Sequence, residues 1–204
     1  MKIEISSLCK SFDGKMVLNG LNLTLADEQP WCLMSPSGSG KTTLLRLILG
    51  LTKPDFGEIS YWNEKGRMEN PPRFSAVFQE DRLCEGFSPV ENLMLAIGGG
   101  GRSGKAASLR AALEQELSQL LLPDCLNRPV CTFSGGMKRR TAICRAMISP
   151  SQIVLMDEPF TGLDTHTREM VIRYVLNRLE GRLLVVATHQ AEEVKLLGGR
   201  VVKL

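Results

Sequence analysis

Apolar and polar side chains alternate from the first residues, Met1-Lys2-Ile3-Glu4-Ile5, the mark of a strand with one buried face. A turn signal follows in Ser11-Phe12-Asp13-Gly14-Lys15, and residues 17–25 return as strand with Leu18, Leu21, Leu23 and Leu25. Asp13-Gly14 therefore predicts a hairpin tip, with Phe12 beside it. The short apolar run Trp31-Cys32-Leu33-Met34 leads through small residues into Leu44-Leu45-Arg46-Leu47-Ile48-Leu49, which reads as strand, loop and helix. Gly50 and Pro54 carry the stop signals for that helix. Residues 57–62 form another strand, residues 67–73 a proline-rich surface connection, and residues 74–78 a strand ending in Gln79.

Beyond Gln79 the period changes to that of helices. Residues 91–97 read as helix, and residues 106–122 carry Leu109, Leu113, Leu117, Leu120 and Leu121 on one face until Pro123 stops them. Thr132-Phe133-Ser134-Gly135-Gly136-Met137-Lys138-Arg139-Arg140 opens a further helix with Ile143, Ala146 and Met147 on its apolar side. The unbroken run Ile153-Val154-Leu155-Met156 ends in Asp157-Glu158, as a buried parallel strand delivers carboxylates at its C-terminal edge. Met170, Val171, Tyr174, Val175 and Leu179 mark an amphipathic helix capped at Gly181, and the buried strand at 183–187 ends in Thr188-His189. The pattern predicts an α/β fold with an N-terminal antiparallel β subdomain and a helical lobe, roughly residues 80–140, inserted in a single domain spanning 1–204.

Composition narrows the class. Hydrophobic residues make up 43% of the 204, ample for a core, and no apolar run nears the roughly 20 residues that span a bilayer. Lysine and arginine (25) nearly cancel aspartate and glutamate (22), so nothing argues for a nucleic-acid partner, which would want a clustered basic face. The six cysteines show no C-x-x-C and no paired spacing, and no signal peptide is evident; reduced thiols in a cytosolic chain are the expectation.

The candidate chemistry centres on Ser35-Pro36-Ser37-Gly38-Ser39-Gly40-Lys41-Thr42-Thr43. Small residues between a strand and a helix let backbone N–H groups converge on an anion, to which the helix N-terminus adds partial positive charge. Lys41 supplies a full charge for outer phosphates and the Thr42 hydroxyl a ligand for Mg²⁺, as in the P-loop pattern G-x-x-x-x-G-K-[ST], whose first glycine is here Ser35. A second stretch, residues 99–106, has glycines and Lys105 at the same spacing, but Ala106 cannot bind a metal and no strand precedes it; a flexible linker is expected instead. Ser134 before two glycines at a helix start offers another anion-binding geometry.

In this order, the phosphate loop, the Ser-Gly-Gly helix start, the Asp-Glu strand end and the histidine resemble the ATP-binding cassette (ABC) ATPase, the motor subunit of ABC transporters, over essentially the whole chain. The resemblance implies a P-loop NTPase (RecA-like) core and ATP with Mg²⁺ as cofactors. Phe12, on residue grounds alone a turn or core aromatic, matches the ring that stacks on adenine. Ser35 to Thr43 match the Walker A loop, Gln79 the Q-loop glutamine that contacts metal and attacking water, and Phe133 to Met137 the signature Leu-Ser-Gly-Gly-Gln. Asp157 matches the Walker B aspartate, Glu158 the general base, Asp164 the dimer-contacting D-loop and His189 the switch histidine. The metal set so implied is Thr42, Gln79 and Asp157; the catalytic set is Lys41, Gln79, Glu158 and His189. His166, between two threonines, reads as surface.

Phosphoryl transfer to water needs charge neutralised on the β- and γ-phosphates and an oriented nucleophile. Lys41 and the metal serve the first need. Glu158, one residue beyond Asp157, points to the other face of the strand end, where it can polarise a water. The family's signature serine closes over ATP held by a second copy, so a head-to-tail pair of cassettes, a homodimer, is implied. Separate permease subunits engaged near Gln79 and the helical lobe, a solute-binding protein, and a peripheral position on the cytoplasmic face of the plasma membrane complete the expectation. Phe78-Gln79-Glu80-Asp81-Arg82-Leu83 looks like the nitrate, sulfonate and taurine importer branch, and the absence of a regulatory domain after Leu204 fits a minimal cassette.

Two departures stand out. Ser35 would be strained if its position needs positive φ, and Met137 lacks the hydrogen-bonding groups of the signature glutamine. They keep open a nucleotide-sensing module with little hydrolysis. A soluble ABC ATPase acting on nucleic acid or ribosomes is the other alternative, although that class usually carries two cassettes or long insertions.

Overall fold

The computed structural model describes residues 1–36, 38–98 and 103–204, without the side chains of 103–106. In chain order the elements are β1 (Lys2–Phe12), β2 (Lys15–Ala26), β3 (Trp31–Met34), α1 (Lys41–Ile48), β4 (Phe56–Asn63), β5 (Gly66–Arg67), β6 (Phe74–Val77), α2 (Pro89–Ala96), α3 (Ser103–Leu117), α4 (Gly135–Ile148), β7 (Ile153–Asp157), α5 (Thr165–Asn177), β8 (Leu183–Thr188), α6 (Ala191–Leu197) and β9 (Arg200–Val202). They fall into two compact units.

The first unit, residues 1–76, 151–158 and 180–204, holds both sheets. One is antiparallel, in the order β2-β1-β4-β5; the other runs β6-β7-β8-β3-β9, parallel from β7 through β9. β1 and β2 meet at Phe12↔Lys15 around a two-residue loop, Asp13 at φ 48° and Gly14 at φ 77°, the primed turn that matches strand twist. β1 buries Ile3, Ile5 and then Leu8, so alternation slips by one residue at a bulge where Ser7 sits at φ 48°. Gly57 of β4 lies against that bulge: a Cβ there would stand 2.4 Å from the Ser7 carbonyl oxygen, which only glycine avoids.

β7 and β8 are buried along their whole length, as strands covered on both faces must be. Leu33, Ile153, Leu155, Leu183 and Val185 share one core with Leu44, Leu47 and Ile48 of α1 and with Ile3, Ile5, Leu8 and Leu25 of the antiparallel sheet. The register Met34↔Thr188 and Asp157↔Ala187 brings the ends of β3, β8 and β7 to one sheet edge. That edge carries the loops of interest.

The second unit, residues 77–150 and 159–179, holds α2, α3, α4 and α5. Ser88 opens α2 with a reciprocal capping box to Glu91. α3 ends at Leu117, five residues short of the span that its leucines predict. Pro123 forces Leu122 into extended backbone (φ −70°, ψ 144°), and residues 118–121 turn instead. Likewise α5 ends at Asn177 and not near Gly181, because Glu180 (φ 52°) and Gly181 (φ 76°) form the turn into β8. Residues 99–102, with most of the glycine run, lie outside the described residues; the last four residues of that second glycine-lysine stretch begin α3. All six cysteines are free thiols, and no helix among the described residues is long and apolar enough to cross a membrane.

Candidate active site

The loop after β3 is built to hold an anion. Gly40 caps α1 at φ 99° with no side-chain hydrogen bond, so the first helical N–H groups are left for a ligand. A Cβ at Gly40 would sit 3.0–3.2 Å from Val17 and Leu18, so the backbone can take this path only with glycine. Lys41 is buried, and its ammonium donates back to the carbonyls of Ser35 and Pro36 (3.0 Å to the latter). Ser39 Oγ is buried with no hydrogen-bond partner among the described residues, and a phosphate oxygen would satisfy it. Gly38, at φ 83°, and Thr43 complete the stretch, while Ser37 lies outside the described residues.

Ser35 is not strained. Its φ is not positive, and its hydroxyl accepts from the Leu204 amide (2.9 Å) while facing the carbonyls of Met34 (2.6 Å) and Leu204 (3.1 Å). The expected strain is thus corrected: the hydroxyl ties the start of the loop to the chain leaving β9. Met34, Ser35, Pro36, His189, Lys203 and Leu204 line a cavity of about 480 Å³ there.

The two carboxylates at the end of β7 take different partners. Asp157, 5% exposed, accepts from the Thr42 hydroxyl at 2.7 Å, so the two expected metal ligands of this unit already face each other. Burial pushes the Asp157 carboxyl up from its ordinary range, and Glu158 adds to this; the Thr42 hydrogen bond and Lys41 oppose it. Such a site fits a divalent cation, which would repay the cost of the buried charge. Glu158 sits at φ 46°, a conformation that costs a non-glycine residue and is typical of functional positions. Its amide donates to the Ala187 carbonyl (2.9 Å), and its carboxylate lies 3.3 Å from His189 Nδ1. Phe12 stands at the hairpin tip, 46% exposed, with the Lys10 ammonium 5.3 Å from its ring centre.

The remaining predicted residues belong to the helical unit. Ser134 caps α4 by accepting from the Met137 amide (3.3 Å), and Ser134 and Gly135 are exposed. Asp164 caps α5, accepting from the Thr167 amide (2.9 Å); the hydrogen bonds from Thr167 hold its carboxyl below the usual range. The Gln79 side chain is on the exposed surface just past β6, and His166 is exposed.

The ABC transporter family model matches residues 18–161. This chain belongs to the ABC transporter family. Among curated relatives of this cassette, the Nod factor export ATP-binding protein I of Rhizobium sp. (strain N33) is 36% identical over 205 residues, covering 98% of the chain and 66% of the relative. An aliphatic sulfonates import ATP-binding protein of Rhizobium johnstonii is 35% identical over 205 residues, covering 99% and 73%. The chain spans 60–66% of the length of the first three Nod factor relatives. A solved ATP-binding cassette, a dimer in a post-hydrolysis state bound to ADP and Pi, superposes with a TM-score of 0.84 at 26% identity, covering 99% of this chain and 94% of its own.

Several residues of this ABC cassette escaped the sequence reading. Glu193, 1% exposed, accepts from the Thr188 hydroxyl, which itself accepts from the Gln190 amide (3.1 Å), so the backbone on both sides of His189 is held. Arg139 and Arg145 of α4 bond the backbone just past β6. The Thr188 contacts are local, spanning five residues, whereas the arginine contacts carry no local signal because each depends on where the segment past β6 lies.

Proposed function

We propose that this chain binds ATP with Mg²⁺ and hydrolyses it as the motor cassette of an ABC transporter, energising movement of a small solute through separate permease subunits. The observation that carries the reading is the single sheet edge of the first unit. It brings together an uncapped helix start, the orphan Ser39 hydroxyl, the Thr42–Asp157 pair and the Glu158–His189 pair.

In this reading the backbone of residues 35–43 and the Lys41 ammonium hold the phosphates, while Thr42 and Asp157 would hold the metal; the resemblance alone adds Gln79 to that set. A metal held there would supply charge neutralisation on the phosphoryl oxygens. Glu158 takes a proton from the attacking water, and His189, hydrogen-bonded to that carboxylate, orients it. Phe12 stacks on adenine. Ser134, Gly135, Gly136 and Asp164 serve a second copy of the cassette, which the dimeric state of the ADP-bound structural relative supports. The import and export names of the curated relatives support permease partners, and the sulfonate-import relatives support a solute-binding protein. A peripheral place on the cytoplasmic face of the plasma membrane follows from those partners.

Equilibrium ATP binding with and without Mg²⁺ tests the site. The parent chain should bind ATP, Lys41→Ala should weaken binding about a hundredfold, and Thr42→Val should abolish the Mg²⁺ dependence. Equal binding by all three proteins would contradict the assignment.

A further inference from the structure

β6 ends at Val77, and past it the sheet no longer orders the chain that carries Gln79. Helix α4 takes over. Arg139, 8% exposed, donates through Nη1 to the Phe78 carbonyl (2.6 Å) and through Nη2 to the Gln79 carbonyl (2.5 Å), and its Nε lies 3.2 Å from the Asp81 carboxylate. Farther along the same helix, Arg145 donates to the carbonyls of Asp81 (2.9 Å) and Arg82 (2.6 Å). Lys138 pairs with Glu85 at 2.9 Å. The segment also folds on itself: Arg82 sits at φ 48° with its guanidinium 3.9 Å from the centre of the Phe78 ring. The neighbouring Arg140 turns elsewhere, to the carbonyls of Leu120 and Gly136. The grip is therefore particular to positions 139 and 145 and is not a general effect of a basic helix.

We propose that Arg139, backed by Arg145, is a positioning residue for Gln79: the two guanidiniums fix the backbone of residues 78–82 on the helix that starts at Ser134, and so set where the Gln79 side chain is presented. The proposal rests on the role given to Gln79 above. A planar fork meets two carbonyls and a carboxylate together, which a lysine ammonium cannot do from one point. Ser134 and Gln79 thereby ride on one piece of structure.

Two readouts on the full chain test this. The first is amide hydrogen exchange in Arg139→Gln without nucleotide. Exchange at the Cys84 amide, which closes this segment by donating to Asn92 Oδ1 (2.8 Å), should rise about tenfold or more while the amides within α4 stay protected. The second is steady-state ATP turnover in a double-mutant cycle of Arg139→Gln with Gln79→Ala. Arg139→Gln alone should lower kcat about tenfold with the KM for ATP within about twofold of the parent, and the double variant should be no slower than Gln79→Ala. Unchanged exchange at Cys84, or losses that multiply in the double variant, would overturn the proposal. If the parent chain turned over no ATP, the motor reading would fail, and the exchange experiment alone would decide whether the clamp exists. Should Arg139→Gln not fold, Arg139→Lys and Arg145→Lys keep the charge, remove the fork and should shift exchange in the same direction.

Discussion

Ser35 and Asp157 illustrate opposite uses of a buried polar group. Ser35 occupies a glycine position of the phosphate loop, yet its backbone has no positive φ and its hydroxyl is engaged by Leu204. Ser35→Gly should therefore lower stability by about 1 kcal/mol, the worth of the lost hydrogen bonds plus added chain freedom, and bring no gain in ATP turnover. Urea unfolding together with a turnover assay checks both halves. Asp157 is costly when no cation is bound, because burial raises its carboxyl pKa. The sign follows from linkage. The contribution of this group to stability is complete below the ordinary aspartate range and is lost as pH rises through the elevated folded value. Asp157→Asn should thus stabilise the metal-free chain at neutral pH by about 1 kcal/mol, flatten that part of its pH dependence, and abolish Mg²⁺-dependent turnover. Thermal unfolding from pH 4 to 8 in a chelator would show it; a destabilised Asn variant would contradict it.

At the scale of elements, α1 both opens the proposed anion site and forms a wall of the core. Leu44 and Ile48 are fully buried in the cluster that includes Leu33, Leu155 and Leu183. Leu44→Ala should cost about 2–5 kcal/mol by leaving a cavity, and should weaken ATP binding through the displaced loop, measurable by denaturant titration and nucleotide binding on the same sample. Element identity was legible where one pattern dominated. The alternating start gave β1, the Asp13-Gly14 pair gave the hairpin, and the apolar runs before Asp157 and Thr188 gave β7 and β8. Ends were less legible: the leucines of α3 continue past Leu117 into a turn that Pro123 dictates, so burial outlasts the helix. α6 and β9 went unread because they are short; β9 exists through its pairing with β3, not through its own three residues.

Over the whole molecule, the placement of the candidate residues was readable to the extent that it is local. Strand ends and helix starts carry Lys41, Thr42, Asp157, Glu158 and Ser134, each within a few residues of its signal. What was not readable is the set of contacts that bind distant segments: Ser35 with Leu204, and Arg139 with the backbone of Phe78 and Gln79. Side chain to backbone bonds of this kind leave no period in a sequence, because a carbonyl has no residue identity. If the chain is an ATP-driven motor cassette, its turnover should depend on Glu158 and its nucleotide-bound form should pair with a second copy. The most direct test is steady-state ATP hydrolysis in Mg²⁺ by the parent chain and Glu158→Gln, with size-exclusion chromatography of both in ATP. The parent should turn over ATP, the variant should lose about a hundredfold or more, and ATP should trap the variant as a dimer. Equal turnover by both proteins, or a Glu158→Gln variant that binds ATP yet stays monomeric, would contradict the motor reading.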